Sequence, residues 1–515
     1  MSLAFAYHEP YYWMVFLPIV VVLYQLTPKR YRWLILLCSS YLFFFCWSRY
    51  LVLYNIITTG ITFVFGRILS NMVKVPKDVD KKAFIAKRKR ILFYGIMLNL
   101  LVLGVLKYTN FFTGIVYSLL RKEFTPFNIA VPIGISYYTL QCISYLCDVK
   151  NGKIQAAKHP HKLALYTSFF PTIMEGPITR YKDVSKDLYA GHDVTMNNFA
   201  WGFQRIVMGL FKKILIADHM AAGIKVIFES YRFSGAMSFL CAVMCTMQLY
   251  MDFAGTIDIA IGSGKIFGIT IAENFRQPFF AKNASEFWRR WHITLGSFLR
   301  DYVFYPVSLS KPVQKITKWT KTHMGKTCAR YVGPMIALFC VWMCNGLWHG
   351  PKWTYIFYGF YYFFFIFVEL LLEKPVKDFN EKHNLNEEGW GWRTFRFIKL
   401  FIIVVIGEMI FCARSLKEGL YMTVSILTRF DISVLKQNIF EIGMRPHDYL
   451  IPLIGILIIL VIDIFKERGV NVQEKFNQMK TWQRWGILYI LIFAIVLFGA
   501  YGPGYDAIAM LYAGF

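Results

Sequence analysis

Thirteen apolar runs dominate this chain, near 13–27, 33–47, 51–68, 91–107, 130–147, 200–217, 234–250, 254–272, 332–348, 353–372, 396–412, 449–464 and 484–501. They approach the roughly 20 residues that cross a bilayer core as a helix, although several are short enough to be re-entrant. Backbone polar groups cannot be left bare in hydrocarbon, so spans of this kind are helical. The pattern predicts an all-α polytopic membrane protein with about a dozen helical segments, not all of them full spans. Composition agrees, since 56% of the 515 residues are hydrophobic, above the roughly 45–50% of a soluble domain. The opening "MSLAFAYHEPYY" has no basic n-region and no small-residue cleavage site follows the first run, so the first span is expected to stay attached.

A formal charge of +26 raises the question of nucleic acid. Lys and Arg are concentrated in loops between apolar runs, however, and no separate basic domain exists to carry a nucleic-acid footprint. Lys29, Arg30 and Arg32 follow the first run; Lys74, Lys77, Lys81, Lys82, Lys87, Arg88, Lys89 and Arg90 follow the third. If each run crosses once these loops share a side, which the positive-inside rule makes cytoplasmic, leaving the N-terminus extracytoplasmic. Some of this charge suits anionic lipid head groups. Most of the ten cysteines lie inside apolar runs, without C-x-x-C or zinc-like spacing, and read as packing residues. No bound metal is expected.

No linker or repeat divides the sequence, which reads as one integral-membrane domain, 1–515. The mixed-charge insert 373–395 is expected outside the bilayer, and 415–447 is amphipathic. From 159 to 351 the apolar segments are broken repeatedly by Pro, Gly, Arg, Asp and His. Such groups at membrane depth require protein or water around them, so this third is where a cavity is expected.

Three stretches there could carry chemistry. In "EFWRRWHITLGSFLRDY", 286–302, a helical reading puts Trp288, Trp291, Leu295, Phe298 and Leu299 on one face with His292 beside it. Arg289 and Arg290 then diverge by about 100°, so that one faces lipid head groups while the other pairs with Glu286 or a ligand phosphate. Arg300 and Asp301 close the stretch. The same residues also suit an interfacial amphipathic helix with snorkelling arginines. In "FCVWMCNGLWHGPKW", 339–353, Asn345 and His349 share a helix face, and Gly350-Pro351 should stop the helix just after the histidine. A helix C-terminus favours the imidazolium, which suits a proton acceptor, and Asn345 could fix its tautomer; an ordinary interfacial histidine fits equally. In "QLYMDFAGTIDIAIG", 248–262, Asp252 and Asp258 stand in or beside apolar runs, beside Gln248 and Tyr250. They read either as a proton pathway or, preferably, as partners of arginines such as those of 289–300 that brace the cavity. "GKT" at 325–327 lacks the first glycine of a phosphate loop, and "NAS" at 283–285 is too short a signal to weigh.

Taken together, the stretches "VPIGISYYTLQCISYLCDV" (131–149), "FFPTIMEGPITRY" (169–181), "QLYMDFAGTIDIAIG" (248–262), "ENFRQPFFAKNASEFWRRWHITLGSFLRDYVFYP" (273–306), "NGLWHG" (345–350) and "YGPGYDAIAMLY" (501–512) resemble the membrane-bound O-acyltransferase (MBOAT) family. The resemblance is strongest to its bacterial branch containing the alginate O-acetyltransferase membrane subunit, with the teichoic-acid D-alanyltransferase subunit a cousin. It places the motif-rich core at about 130–372. Two departures stand out: Ala254 where a serine is expected, and Gly296-Ser297 in place of a serine-first pattern.

The resemblance implies an MBOAT-type bundle with re-entrant segments and a central funnel or tunnel. It carries the family's near-universal catalytic histidine onto His349 and the second position, Asn or His in many relatives, onto His292. Trp348, Trp288, Trp291 and the arginines would form part of the funnel wall. It further implies acyl transfer, acetyl first and D-alanyl second, from acetyl-coenzyme A or an acyl carrier protein, with no bound cofactor. The acceptor would be a hydroxyl of an extracytoplasmic polysaccharide or cell-wall polymer, reached directly or through an extracytoplasmic esterase-like or small membrane partner, in a bacterial cytoplasmic membrane. A transporter or a non-catalytic scaffold for an extracytoplasmic transferase are the rival classes.

Overall fold

The computed structural model describes residues 6–501 apart from 75 and 77; Lys77 of the basic loop and 502–512 of the tail motif lie outside the described residues. Helix accounts for nearly all regular structure, and among the described residues the sole β-pairing is an isolated antiparallel bridge, Phe275 to Trp291. Among the described residues seven helical stretches are long and apolar enough to cross a membrane: Lys29–Asn71, Lys81–Leu119, Gly235–Ile266, Gly325–His349, Trp353–Lys382, Pro446–Glu467 and Thr481–Phe498. The first comprises two helices, Arg32–Ser48 and Val52–Asn71, separated at Arg49, whose φ of 46° interrupts the helical hydrogen bonding. The chain is thus an all-α polytopic membrane protein.

Not every apolar run forms such a stretch. The run 130–147 becomes the short helix Ile135–Lys150, buried at nearly every position. At 16 residues it would extend about 24 Å, too short to cross, and its burial on every face, with Ser136, Thr139, Gln141, Ser144 and Asp148 among the buried side chains, reflects enclosure by protein. It opens on Gly134 in the left-handed region (φ 69°), where a Cβ would lie 1.9 Å from the Ile173 carbonyl oxygen. Only glycine fits there. The polar insert 373–395 is also less loop-like than its composition indicates. Helix Trp353–Lys382 runs through its first half and Trp390–Cys412 begins before its end.

The residues form two compact units: 6–209 with 256–273, and 210–255 with 274–501. In the first, small polar side chains stitch apolar helices together, as Thr62 Oγ1 does by donating to Asn99 Oδ1 at 3.3 Å. In the second, Gly325–His349 and Trp353–Lys382 pack closely through the turn at 350–352. Glycines let their backbones touch: a Cβ on Gly346 would meet the Tyr355 carbonyl oxygen at 2.3 Å, and one on Gly359 would meet that of Trp342 at 2.3 Å. Gly359→Ala is therefore expected to wedge the pair apart and cost roughly 1–3 kcal/mol, read as a lower unfolding midpoint in detergent. An unchanged midpoint would mean the helices yield freely at this crossing.

Candidate active site

The continuous helix expected over 286–302 does not form. Asn283 caps a helix Ala284–Arg290, its Oδ1 accepting from the Glu286 N–H at 2.8 Å. Trp291 then turns extended and pairs with Phe275: the Arg276 N–H donates to the Arg290 carbonyl at 2.9 Å and the Ile293 N–H to that of Asn274 at 3.0 Å. His292 takes a left-handed conformation (φ 46°, ψ 51°), and a second helix runs Ile293–Leu299. The segment 274–276 captures hydrogen bonds that a helix would have kept, while Tyr250, Phe275 and Phe287 enclose the Trp291 ring at centroid distances of 5.2 to 5.5 Å. A non-glycine residue in this region carries strain, roughly 1–3 kcal/mol, of a kind that concentrates at functional sites.

That strain turns His292 inward. The side chain is buried, its ring edge-on to Phe253 at 4.8 Å and to Trp348 at 5.5 Å. Asn274 Oδ1 accepts from the Thr294 N–H and Oγ1, both at 2.9 Å, and lies 3.3 Å from His292 Nδ1. Since the backbone N–H of Thr294 requires an acceptor, the amide oxygen is the atom facing this group, and Nδ1–H donates to it. Nε2 is then the bare nitrogen, and among the described residues it makes no hydrogen bond. Burial pushes the His292 pKa down, to about 3, leaving a neutral ring with a lone pair on offer.

His349 ends its helix as expected, with Gly350 at φ 154° breaking the pattern. It is buried between Trp348 at 5.0 Å, Phe411 at 5.0 Å and Tyr358 at 6.0 Å. Trp348 thus touches both histidine rings. Asn345 is buried on the same helix, but its Oδ1 makes no hydrogen bond among the described residues, so it does not fix the His349 tautomer through that atom. Trp288 packs on Trp342 at 5.0 Å, Tyr362 at 4.7 Å and Tyr358 at 5.9 Å, its indole N–H buried and, among the described residues, without a hydrogen bond.

The charged candidates separate from this cluster. Arg290 pairs with Glu286 at 2.7 Å and with Glu467 at 2.8 Å; Arg289 is exposed and donates to Ser285 Oγ at 3.1 Å. Arg300 is exposed and pairs with its neighbour Asp301 at 2.9 Å. The two buried aspartates do not bind the arginines of 289–300. Asp252 pairs with Lys213 at 2.8 Å, and Asp258 with Arg205 at 2.7 Å, because these cations come from elements earlier in the chain that pack alongside. Gln248 is buried in the Gly235–Ile266 helix, where Tyr250 also sits and donates to Asp463 at 3.4 Å. Among the described residues no three His, Cys, Asp or Glu side chains form a set able to hold a metal ion.

Sequence reasoning missed two residues. Asn274 sets the His292 tautomer, and only its place beside a motif marked it. Glu408 is fully buried and accepts from Tyr358 at 2.8 Å and Tyr362 at 3.2 Å, beneath the tyrosine that faces His349. A lone acid within the apolar run 396–412 was the available signal.

Two buried histidines joined through a tryptophan, one with a bare nitrogen, make an aromatic, water-poor site able to hold a hydroxyl and accept its proton. Comparison with known proteins identifies the family. The family model of the membrane-bound O-acyltransferases (MBOAT) matches residues 135–413. A probable alginate O-acetylase AlgI of Pseudomonas aeruginosa is 33% identical over 407 residues, 78% of this chain and 71% of its own. A peptidoglycan O-acetyltransferase of Helicobacter pylori is 30% identical, covering 61% of each chain. A teichoic acid D-alanyltransferase of Bacillus subtilis is 31% identical, covering 46% of this chain and 58% of its own. This chain belongs to the membrane-bound O-acyltransferase family and is an enzyme that transfers acyl groups to hydroxyls.

Proposed function

We propose that the protein transfers an acetyl group from a thioester donor, supplied on the cytoplasmic side as acetyl-coenzyme A or an acyl carrier protein, to a hydroxyl of an extracytoplasmic polysaccharide. Transfer is direct or through an extracytoplasmic partner that acylates the polymer. The enzyme resides in a bacterial cytoplasmic membrane with its N-terminus outside, and the full chain acts as one domain. The observation that carries this reading is the pair of buried histidines meeting at Trp348.

In the proposed step, His349 takes the proton of the acceptor hydroxyl as that oxygen attacks the thioester carbonyl. The C–O bond forms, the C–S bond breaks, and the leaving sulfur takes the proton from the imidazolium. General-base help of this kind contributes roughly 10² to 10⁴ in rate. His292, with Nδ1–H engaged, offers only an acceptor and so orients the hydroxyl rather than stabilising negative charge. The Trp288 indole N–H, buried and without a hydrogen bond among the described residues, is the proposed donor to the developing oxyanion. Asn345, Trp348 and Trp291 line the same aromatic site in this reading, whereas Arg289, Arg290, Arg300 and Asp301 support it from outside.

His292→Ala is expected to lower turnover roughly tenfold to a hundredfold by loosening the acceptor, and His292→Asn to restore part of the loss. Activity unchanged in both variants would remove His292 from the mechanism. The donor is tested by incubating membranes containing the protein with radiolabelled acetyl-coenzyme A or a radiolabelled D-alanyl carrier protein and counting label in the envelope polymer. Label from the acetyl donor supports this reading. Label from the D-alanyl donor alone overturns it in favour of the chemistry named for the Bacillus subtilis relative.

A further inference from the structure

Between Asp301 and Glu369 the sequence holds no acidic residue, while Lys or Arg occupies seven positions from 311 to 352. The structure concentrates part of this charge. Helix Lys311–His323 folds back against Gly325–His349, and the two border a cavity of about 430 Å³. Lys318, Lys321 and Arg330 line it. Among the described residues none of the three makes an ion pair. Lys318 and Lys321 are three apart on one helix, so they share a face and repel each other. A bound anion would relieve that repulsion.

The rest of the lining narrows what the anion belongs to. Leu309, Ala329, Gly333 and Pro334 form an apolar wall in the same cavity. The Lys311–His323 helix also exposes Ile316 and Trp319 amid its lysines, the pattern of a helix lying at a membrane surface. Cations beside an apolar wall match a molecule with an anionic head and a hydrocarbon tail. The acyl donor also carries phosphates, but Arg330 precedes His349 by 19 residues on one helix, about 28 Å along its axis. That is longer than an extended phosphopantetheine arm, so a donor anchored here would not deliver its thioester to His349. The donor argument rests on taking His349 as the reaction site; the lipid-binding test below does not.

We propose that this cavity binds an anionic phospholipid, its headgroup phosphate held by Lys318, Lys321 and Arg330 and an acyl chain laid against the apolar wall. The test uses the purified full chain in neutral detergent at physiological salt, titrated with phosphatidylglycerol or phosphatidylcholine and read by native mass spectrometry. The variant Lys318→Gln/Lys321→Gln/Arg330→Gln removes the cavity charges; Lys311→Gln/Lys315→Gln/Lys326→Gln removes the same charge from outside the cavity. All six residues are exposed, so both variants should fold. Phosphatidylglycerol binding is expected to weaken roughly tenfold or more in the first variant. The second should change it less than about threefold, since charge away from contact is screened. Equal losses in the two variants, or equal binding of the two lipids to the wild type, would overturn the proposal. Displacement of phosphatidylglycerol by inorganic phosphate or acetyl-coenzyme A would also overturn it, reassigning the cavity to a soluble phosphate.

Discussion

His349→Ala is expected to lower acyl transfer by roughly 10² to 10⁴ while leaving a folded protein in the membrane. The magnitude is that of losing a positioned base, because donor and acceptor would still meet in the site and proximity would still contribute. Folding should survive because His349 is the last residue of its helix, followed by a glycine that ends the helix whatever precedes it. Truncation does leave space against Phe411 and Tyr358, so His349→Gln is the companion variant. It fills that space but cannot act as a base near neutral pH. Equal loss in both variants, with matched elution in detergent, assigns the loss to chemistry. A protein whose envelope acetylation is untouched by either substitution would be a scaffold, and the base would have to be sought elsewhere. A transporter is distinguished by the label, which would then cross the membrane without becoming covalently attached.

The residues of this site were unequally legible. Local rules sufficed for His349, because Gly350-Pro351 ends a helix wherever it falls and Asn345 sits one turn back. They failed at His292. The apolar spacing of Trp288, Trp291 and Leu295 suits a helix, yet Trp291 leaves the helix to pair with Phe275, a segment that periodicity within 286–302 cannot see. The break shapes the local structure, because with it the ring is buried and Nδ1 meets Asn274. The same limit applied to the carboxylates. Their cost in apolar surroundings made it legible that they must be paired, but Lys213 and Arg205 come from another part of the chain, and nothing near Asp252 or Asp258 points to them. Membrane character was legible from composition alone, whereas span count was not, since the apolar run 130–147 folds into a helix, Ile135–Lys150, that is enclosed by protein and too short to cross.

Lys213→Met is expected to destabilise the protein by roughly 3–5 kcal/mol, far more than Asp252→Asn, although both break the same ion pair. Lys213 is buried with its ammonium 2.6 Å from Asp218 and 2.8 Å from Asp252. Removing the lysine strands two carboxylates in a low-dielectric interior, each without its cation. Removing the Asp252 charge instead leaves Lys213 and Asp218 as a matched pair, and asparagine keeps the volume and a hydrogen-bonding oxygen. Adding Asp218→Asn and Asp252→Asn to Lys213→Met should therefore recover much of the lost stability, because it removes the stranded charges. Unfolding midpoints in detergent order the variants. A cost for Asp252→Asn equal to that of Lys213→Met would contradict the pairing. Turnover supplies the complementary reading: if Asp252→Asn abolishes acyl transfer at unchanged stability, the aspartate works in proton movement rather than only in pairing with Lys213.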